Sequence, residues 1–175
     1  MNNKLEIFIE KKNVKSQSHW LPLLEGSISA CGAPGKNAVR EWSNKGVTDV
    51  ITLQREDEMN SWLPGICNSN GLTWHHFPLS GRNLCDKNDI IQLKRINEIV
   101  CLLKDFKTRH IVIHCSAGMH RTGVFLYFLL RRIGSDDIIH SIAQIRQLTA
   151  DELNRSDGKL FLEAEDLYNK IIFDI

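Results

Sequence analysis

Residues Arg109 to Gly123 constrain the fold of this chain more than any other stretch. Ile111-Val112-Ile113 is a continuous β-branched run, the pattern of a strand buried on both faces in the middle of a parallel sheet. A helix is predicted to begin almost at once, near Arg121, and to run to Arg132 before Gly134. Only a tight loop, His114 to His120, lies between them. A buried strand that hands directly to a helix is one unit of an α/β layer fold, and the rest of the chain has to supply its neighbours.

The flanking patterns do so. Leu5, Ile7 and Ile9 alternate as in a strand. Ile28 to Cys31 follows the turn-prone Glu25-Gly26 and precedes the breaker Gly32-Ala33-Pro34-Gly35. Ala38 to Asn44 reads as a helix stopped by Gly46, Val47 to Leu53 and Leu72 to Phe77 as strands, and Arg55 to Asn70 as less regular chain. Pro78 to Asn88 is turn-rich and polar, where functional loops are often found. Ile90, Leu93, Ile96, Val100 and Leu103 recur at helical spacing, predicting one helix over Asp89 to Phe106. Two more helices follow, 136–148 with an N-cap at Ser135, and a last one marked by Leu160, Ala164, Leu167 and Ile171. The expected architecture is α/β, a central, largely parallel sheet flanked by helices. At 175 residues it forms one domain over 1–175, with 1–19 as an N-terminal extension or an edge strand.

A net charge of +1 gives no global field, so general nucleic-acid binding and membrane-surface roles lack support, and anion binding must be local. Residues 1–15 lack the apolar core of a secretory signal, and no stretch is long enough for a membrane span. Cys31, Cys67, Cys85, Cys101 and Cys115 are scattered without C-x-x-C spacing, against a disulfide framework or a zinc site and in favour of a reducing, cytoplasmic setting. His75 and His76 are neighbours on a strand and point to opposite faces, a poor chelate. No metal and no cofactor is expected.

The loop from His114 to Gly123 reads HCSAGMHRTG, with Cys-x5-Arg spacing. A tight loop ending at a helix N-terminus can turn successive N–H groups of Ser116, Ala117, Gly118, Met119 and His120 around an anion. Gly118 supplies the backbone freedom for that curvature. Arg121 adds a planar fork for two phosphate oxygens, which a lysine cannot reproduce. The same field favours the thiolate, the form in which a cysteine attacks, so Cys115 is expected to take a phosphoryl group and pass it to water. Thr122 can give a hydroxyl hydrogen bond to the sulfur as it leaves. His114, on the buried strand, is expected to orient the loop from behind. The His120 side chain is expected at the pocket rim; Arg146 with Gln144 on the penultimate helix is placed near the loop or its neighbours, and Gln144 or Gln147 could position the hydrolytic water.

These residues resemble the signature of the cysteine-dependent protein-tyrosine phosphatases, and the chain length resembles their compact dual-specificity branch. Three further segments, Ile28 to Gly35, Gly46 to Ile51 and Trp74 to Pro78, look like the matching parts of cyclin-dependent-kinase-associated phosphatases, so the similarity spans about residues 28 to 150. The resemblance implies Cys115, the loop amides and Arg121 as the site, and a phosphoprotein as substrate; it implies no kinase partner. It also implies an acidic aspartate about three residues after Pro78. Here Leu79, Ser80, Gly81, Arg82 and Asn83 stand instead. Of the two aspartates nearby, Asp89 with Gln92 looks like a capping box, leaving Asp86 as the expected acid. Arg82 could help hold the phosphate or be a solvated loop residue.

The expected activity is hydrolysis of phosphotyrosine, with phosphoserine or phosphothreonine in reach because a chain this short has little room to deepen its pocket. The alternatives are a phosphatase of non-protein substrates, phosphoinositides or RNA 5′-phosphates, and a phosphate-binding pseudophosphatase. Phosphoinositide enzymes with this loop usually carry lysines in it, and the RNA enzymes an asparagine before the arginine; Met119 and His120 match neither. An intact Cys115 and Arg121 argue against the third.

Overall fold

The structure is a computed structural model and describes residues 19–80, 86–104 and 108–173. The strand predicted over Leu5 to Ile9, the helix end at Phe106, and Arg82 and Cys85 lie outside those residues.

The buried run forms β5 (His110–His114), and it sits at the centre of a five-stranded sheet. Its neighbours are β2 (Gly26–Cys31) and β3 (Asp49–Thr52), both parallel to it, with Ile28 and Asp49 flanking Ile111 in register. Beyond β3 lies β4 (Thr73–His76), also parallel. Beyond β2 lies β1 (Leu21–Leu23), antiparallel at the edge. The sheet is therefore largely parallel, and Ile111, Val112 and Ile113 are all fully buried as the run requires.

Side chains on a strand alternate between faces, and β5 distributes its apolar residues accordingly. Val112 joins Val50 and the apolar faces of α1 (Lys36–Asn44) and α2 (Leu63–Ser69), where Val39, Trp42, Leu63 and Cys67 close one layer. Ile111 and Ile113 face the larger core of α4 (Ile96–Lys104), α5 (His120–Ile133), α6 (Ile138–Arg146) and α7 (Ala150–Phe173). Every residue of α5 from Thr122 to Leu130 is buried, because that helix packs against the sheet while α4, α6 and α7 cover its other sides. Truncating Phe125, fully buried against Phe77, to alanine would cost about 3–5 kcal/mol, a large fraction of a small domain's stability.

Four elements differ from the sequence pattern. The helix predicted over 136–148 with Ser135 as its cap is α6, which starts at Ile138 because the Asp137 carboxylate takes the cap, accepting the His140 N–H (2.9 Å). The helix predicted over Asp89 to Phe106 is two, α3 (Lys87–Lys94) and α4, separated at Arg95. The Arg95 side chain turns inward there, donating to the His76 carbonyl (3.2 Å) and to Gln92 Oε1 (2.7 Å) over the Phe77 ring. Within the segment read as irregular, α2 forms with Pro64 in its first turn, where a missing N–H costs nothing. The last helix starts ahead of its apolar stripe, at Ala150, because Thr149 and Glu152 cap each other's backbone N–H groups at 3.2 and 2.8 Å.

Candidate active site

Parallel strands deliver their C-terminal ends to one side of a sheet, and ligands of open α/β folds bind there. The segments following β2, β3, β4 and β5 meet at that edge. The loop after β5 is pinned to the one after β2 by the Ala33 N–H, which donates to the Ser116 carbonyl (3.0 Å). Gly118 adopts φ +72°, and a Cβ there would stand 2.6 Å from the Cys31 carbonyl carbon. Only glycine satisfies both the left-handed backbone and that approach. The turn aims the Gly118 N–H at Cys115 Sγ (3.2 Å). Cys31, at the end of β2, cannot compete as nucleophile: burial, with the charge of Cys115 beside it, pushes its thiol up to about 12.

Arg121, in the first turn of α5, joins three segments. Its guanidinium donates to Glu58, to the Leu79 carbonyl (3.2 Å) and to Ser116 Oγ (2.8 Å). Gln54 donates to the same hydroxyl (3.2 Å) and to the Glu58 carbonyl (3.2 Å). Burial works against charge on Glu58, but the hydrogen bond and charge of Arg121, with Arg55, outweigh it and hold its carboxyl below the usual range.

Behind the loop, the Trp74 indole N–H donates to Thr52 Oγ1 (2.9 Å), and the Thr52 hydroxyl meets His114 Nε2 (2.8 Å). Burial lowers the pKa of His114 to about 4, so this ring is neutral at pH 7. An unfolded histidine titrates near ~6.5, so between about pH 6.5 and 4 the unfolded chain binds a proton that the folded chain refuses, and stability falls as pH falls. From pH 6.5 to 5 this group should cost about 2 kcal/mol. Urea unfolding at the two pH values checks it, since His114→Gln should lose less stability over that interval by about the same amount.

The bond expected from Thr122 to the sulfur is not formed. The Thr122 hydroxyl is fully buried and has no hydrogen-bond partner among the described residues. The two aspartates exchange the roles assigned to the cap. Asp86 is the N-cap of α3, exposed, with its carboxylate accepting the Asn88 N–H (2.8 Å). Asp89 is buried in the first turn and accepts both the N–H and the hydroxyl of Ser80, each at 2.8 Å. The capping box fails because Gln92 bonds Arg95 rather than reaching back. Asp86, expected to be the acid, thus has its side chain engaged at the helix start.

The tyrosine phosphatase family matches this sequence over residues 33–144, more than half of the chain. The chain belongs to that family. No curated protein matches it in sequence. Among solved structures it is similar to kinase associated phosphatase carrying a serine at its catalytic cysteine, at 16% identity and TM-score 0.59, covering 85% of this chain and 98% of that one. It is also similar to PTPMT1 in complex with PI(5)P, at 15% and 0.58, covering 89% and 98%. TpbA of P. aeruginosa in complex with pTyr matches at 12% and 0.57, covering 92% and 94%. At these identities the likeness establishes the fold.

An open cleft of about 990 Å³ runs beside the loop of this phosphatase, bounded by Gly32 to Gly35, Ser116 to Met119, and Arg146 to Leu148. Arg146 therefore does approach the loop, and so does Gln147, whereas Gln144 is exposed and off the cleft. Arg146 is held by an ion pair with Asp157 of α7, almost wholly buried. The His120 side chain turns to the same carboxylate, Nε2 lying 3.7 Å from Asp157 Oδ1, instead of to the rim. Gln54, Glu58 and Asp157 are site residues that the sequence did not single out. Among the described residues, no group of three or more His, Cys, Asp or Glu could hold a metal ion, and no helix is long and apolar enough to cross a membrane.

Proposed function

We propose that this phosphatase hydrolyses phosphotyrosine of protein substrates through a cysteinyl-phosphate on Cys115, with weaker action on phosphoserine and phosphothreonine, in the cytoplasm and without metal or cofactor. The observation that carries the reading is the pairing, on one loop, of a sulfur facing a backbone N–H with an arginine fork held beside it by Glu58, Leu79 and Ser116. Cys115 attacks phosphorus; Arg121 and the amides of Ser116 to His120 take the charge that spreads over the equatorial oxygens. Thr122, buried one residue beyond, turns its free hydroxyl to the sulfur when the thiolate leaves. Gln147, on the cleft wall, orients the hydrolytic water.

The test is turnover of p-nitrophenyl phosphate in the presence of a chelator, followed by matched phosphotyrosine, phosphoserine and phosphoinositide substrates. Hydrolysis that survives chelation, disappears in Cys115→Ser and is fastest on the phosphotyrosine peptide supports the reading. A requirement for added metal, or an active serine variant, contradicts the mechanism; preference for the phosphoinositide contradicts the substrate.

A further inference from the structure

Asp89 has no part in the chemistry described above. Its side chain is buried, 1% exposed, in the first turn of α3, and a charge taken out of water must be matched by donors. The start of the helix supplies part of that match, since a carboxylate is favoured beside a helix N-terminus. Ser80 supplies the rest, its N–H reaching Oδ1 and its hydroxyl reaching Oδ2, each at 2.8 Å.

The Leu79–Ser80 bond is trans, and a trans peptide is planar with its N–H and C=O pointing in opposite directions. The Ser80 N–H therefore belongs to the same rigid unit as the Leu79 carbonyl, and that carbonyl accepts Arg121 Nη1 (3.2 Å). One peptide plane stands between the buried carboxylate and the phosphate clamp. A carboxylate on its N–H side fixes the plane and, by polarising it, strengthens the acceptor on the other side. The plane has little freedom to turn: Leu79 is itself buried, its N–H donates to the Leu53 carbonyl (3.1 Å), and the Ser80 hydroxyl holds the second Asp89 oxygen. Nη1 also donates to Glu58, and Nη2 to Ser116 Oγ (2.8 Å). With two acceptors on Nη1, the edge offered to a phosphate is the one formed by Nε and Nη2, which carries two parallel N–H groups.

We propose that Asp89 is a positioning residue of the phosphate clamp, setting the plane of the Arg121 guanidinium through the Leu79–Ser80 peptide. The proposal rests on the phosphatase reading above and adds a residue to it. Asp89 touches neither substrate nor sulfur and donates no proton, because both of its oxygens accept from Ser80. Without it the peptide can rotate, and the clamp loses a fixed acceptor on Nη1.

The test is a double-mutant cycle on the full chain, reading kcat/KM for p-nitrophenyl phosphate and for a phosphotyrosine peptide, with a melting curve for each variant. Asp89→Ala should lower kcat/KM by about 10²-fold, the cost of a clamp displaced by about 1 Å. In an Arg121→Lys background the same substitution should cost less than about three-fold, because the group it acts through is gone. Asp89→Asn should stay within about five-fold of the native chain on both substrates, since its Oδ1 still accepts the Ser80 N–H and its Nδ2 donates to the Ser80 hydroxyl oxygen. If Asp89→Ala unfolds, Ser80→Ala takes its place in the cycle, keeping the N–H bond to Asp89 and losing about five-fold, again only where Arg121 is present. Equal losses with arginine and with lysine at position 121 would make Asp89 a purely structural residue and overturn the proposal. So would native-like turnover of Asp89→Ala, or Asp89→Asn slowed by about 10²-fold or more on the peptide alone, the mark of a proton donor. A native chain that turns over neither substrate fails as a phosphatase and takes this proposal with it; one that turns over both but shows no coupling loses the proposal alone.

Discussion

Arg121→Lys is expected to lower kcat/KM for p-nitrophenyl phosphate by about 10³-fold, roughly 4 kcal/mol of transition-state stabilisation, without unfolding the protein. The charge is kept and the fork is lost. In the resting site that fork already spans Glu58, the Leu79 carbonyl and Ser116 Oγ, three acceptors in three segments. An ammonium is a compact point charge on a flexible stem and cannot hold that spread while presenting two parallel N–H groups to phosphate. Thermal unfolding should shift little, because the arginine lies at the edge of the core and not in it. A loss of less than ten-fold would mean that charge alone suffices and that no planar clamp operates.

The second large effect is expected from Gly118→Ala. Beyond the left-handed backbone cost of about 1–2 kcal/mol, the new Cβ would meet backbone on one side at 2.6 and 2.7 Å, the Cys31 carbonyl and the Gly32 nitrogen. Neither contact is the end of a flexible side chain, so the loop itself must move. A shift near 1 Å in the N–H groups that surround phosphate should reduce kcat/KM by about 10²-fold or more. The melting temperature should drop as well, since Ala33 and Ser116 tie the two loops together. Near-normal turnover would show that the loop has slack the geometry does not suggest.

What was legible in the sequence was local. The β-branched triplet Ile111 to Ile113 announced the central strand, and HCSAGMHRTG announced the loop, because each is specified by residues adjacent in the chain. Glu58, Gln54 and Asp157 were not legible, since they reach Arg121, Ser116, Arg146 and His120 across sequence gaps that only the tertiary fold closes. Helix starts failed for a subtler reason. Asp86 and Asp89 both sit before the same apolar run, and Asp89 with Gln92 has the better capping pattern. Tertiary partners decided otherwise, with Ser80 drawing Asp89 inward and Arg95 drawing Gln92 away. The box that does form, Thr149 with Glu152, lies ahead of the apolar stripe of α7.

Phosphoryl transfer through Cys115 requires a covalent intermediate, and trapping it is the direct measurement. Turnover of p-nitrophenyl phosphate quenched in acid within the first cycle, followed by peptide mass spectrometry, should find one phosphoryl group on the peptide carrying Cys115 and none on that peptide in Cys115→Ser. Full turnover with Cys115 never phosphorylated, or with the phosphoryl group on another residue, would contradict it.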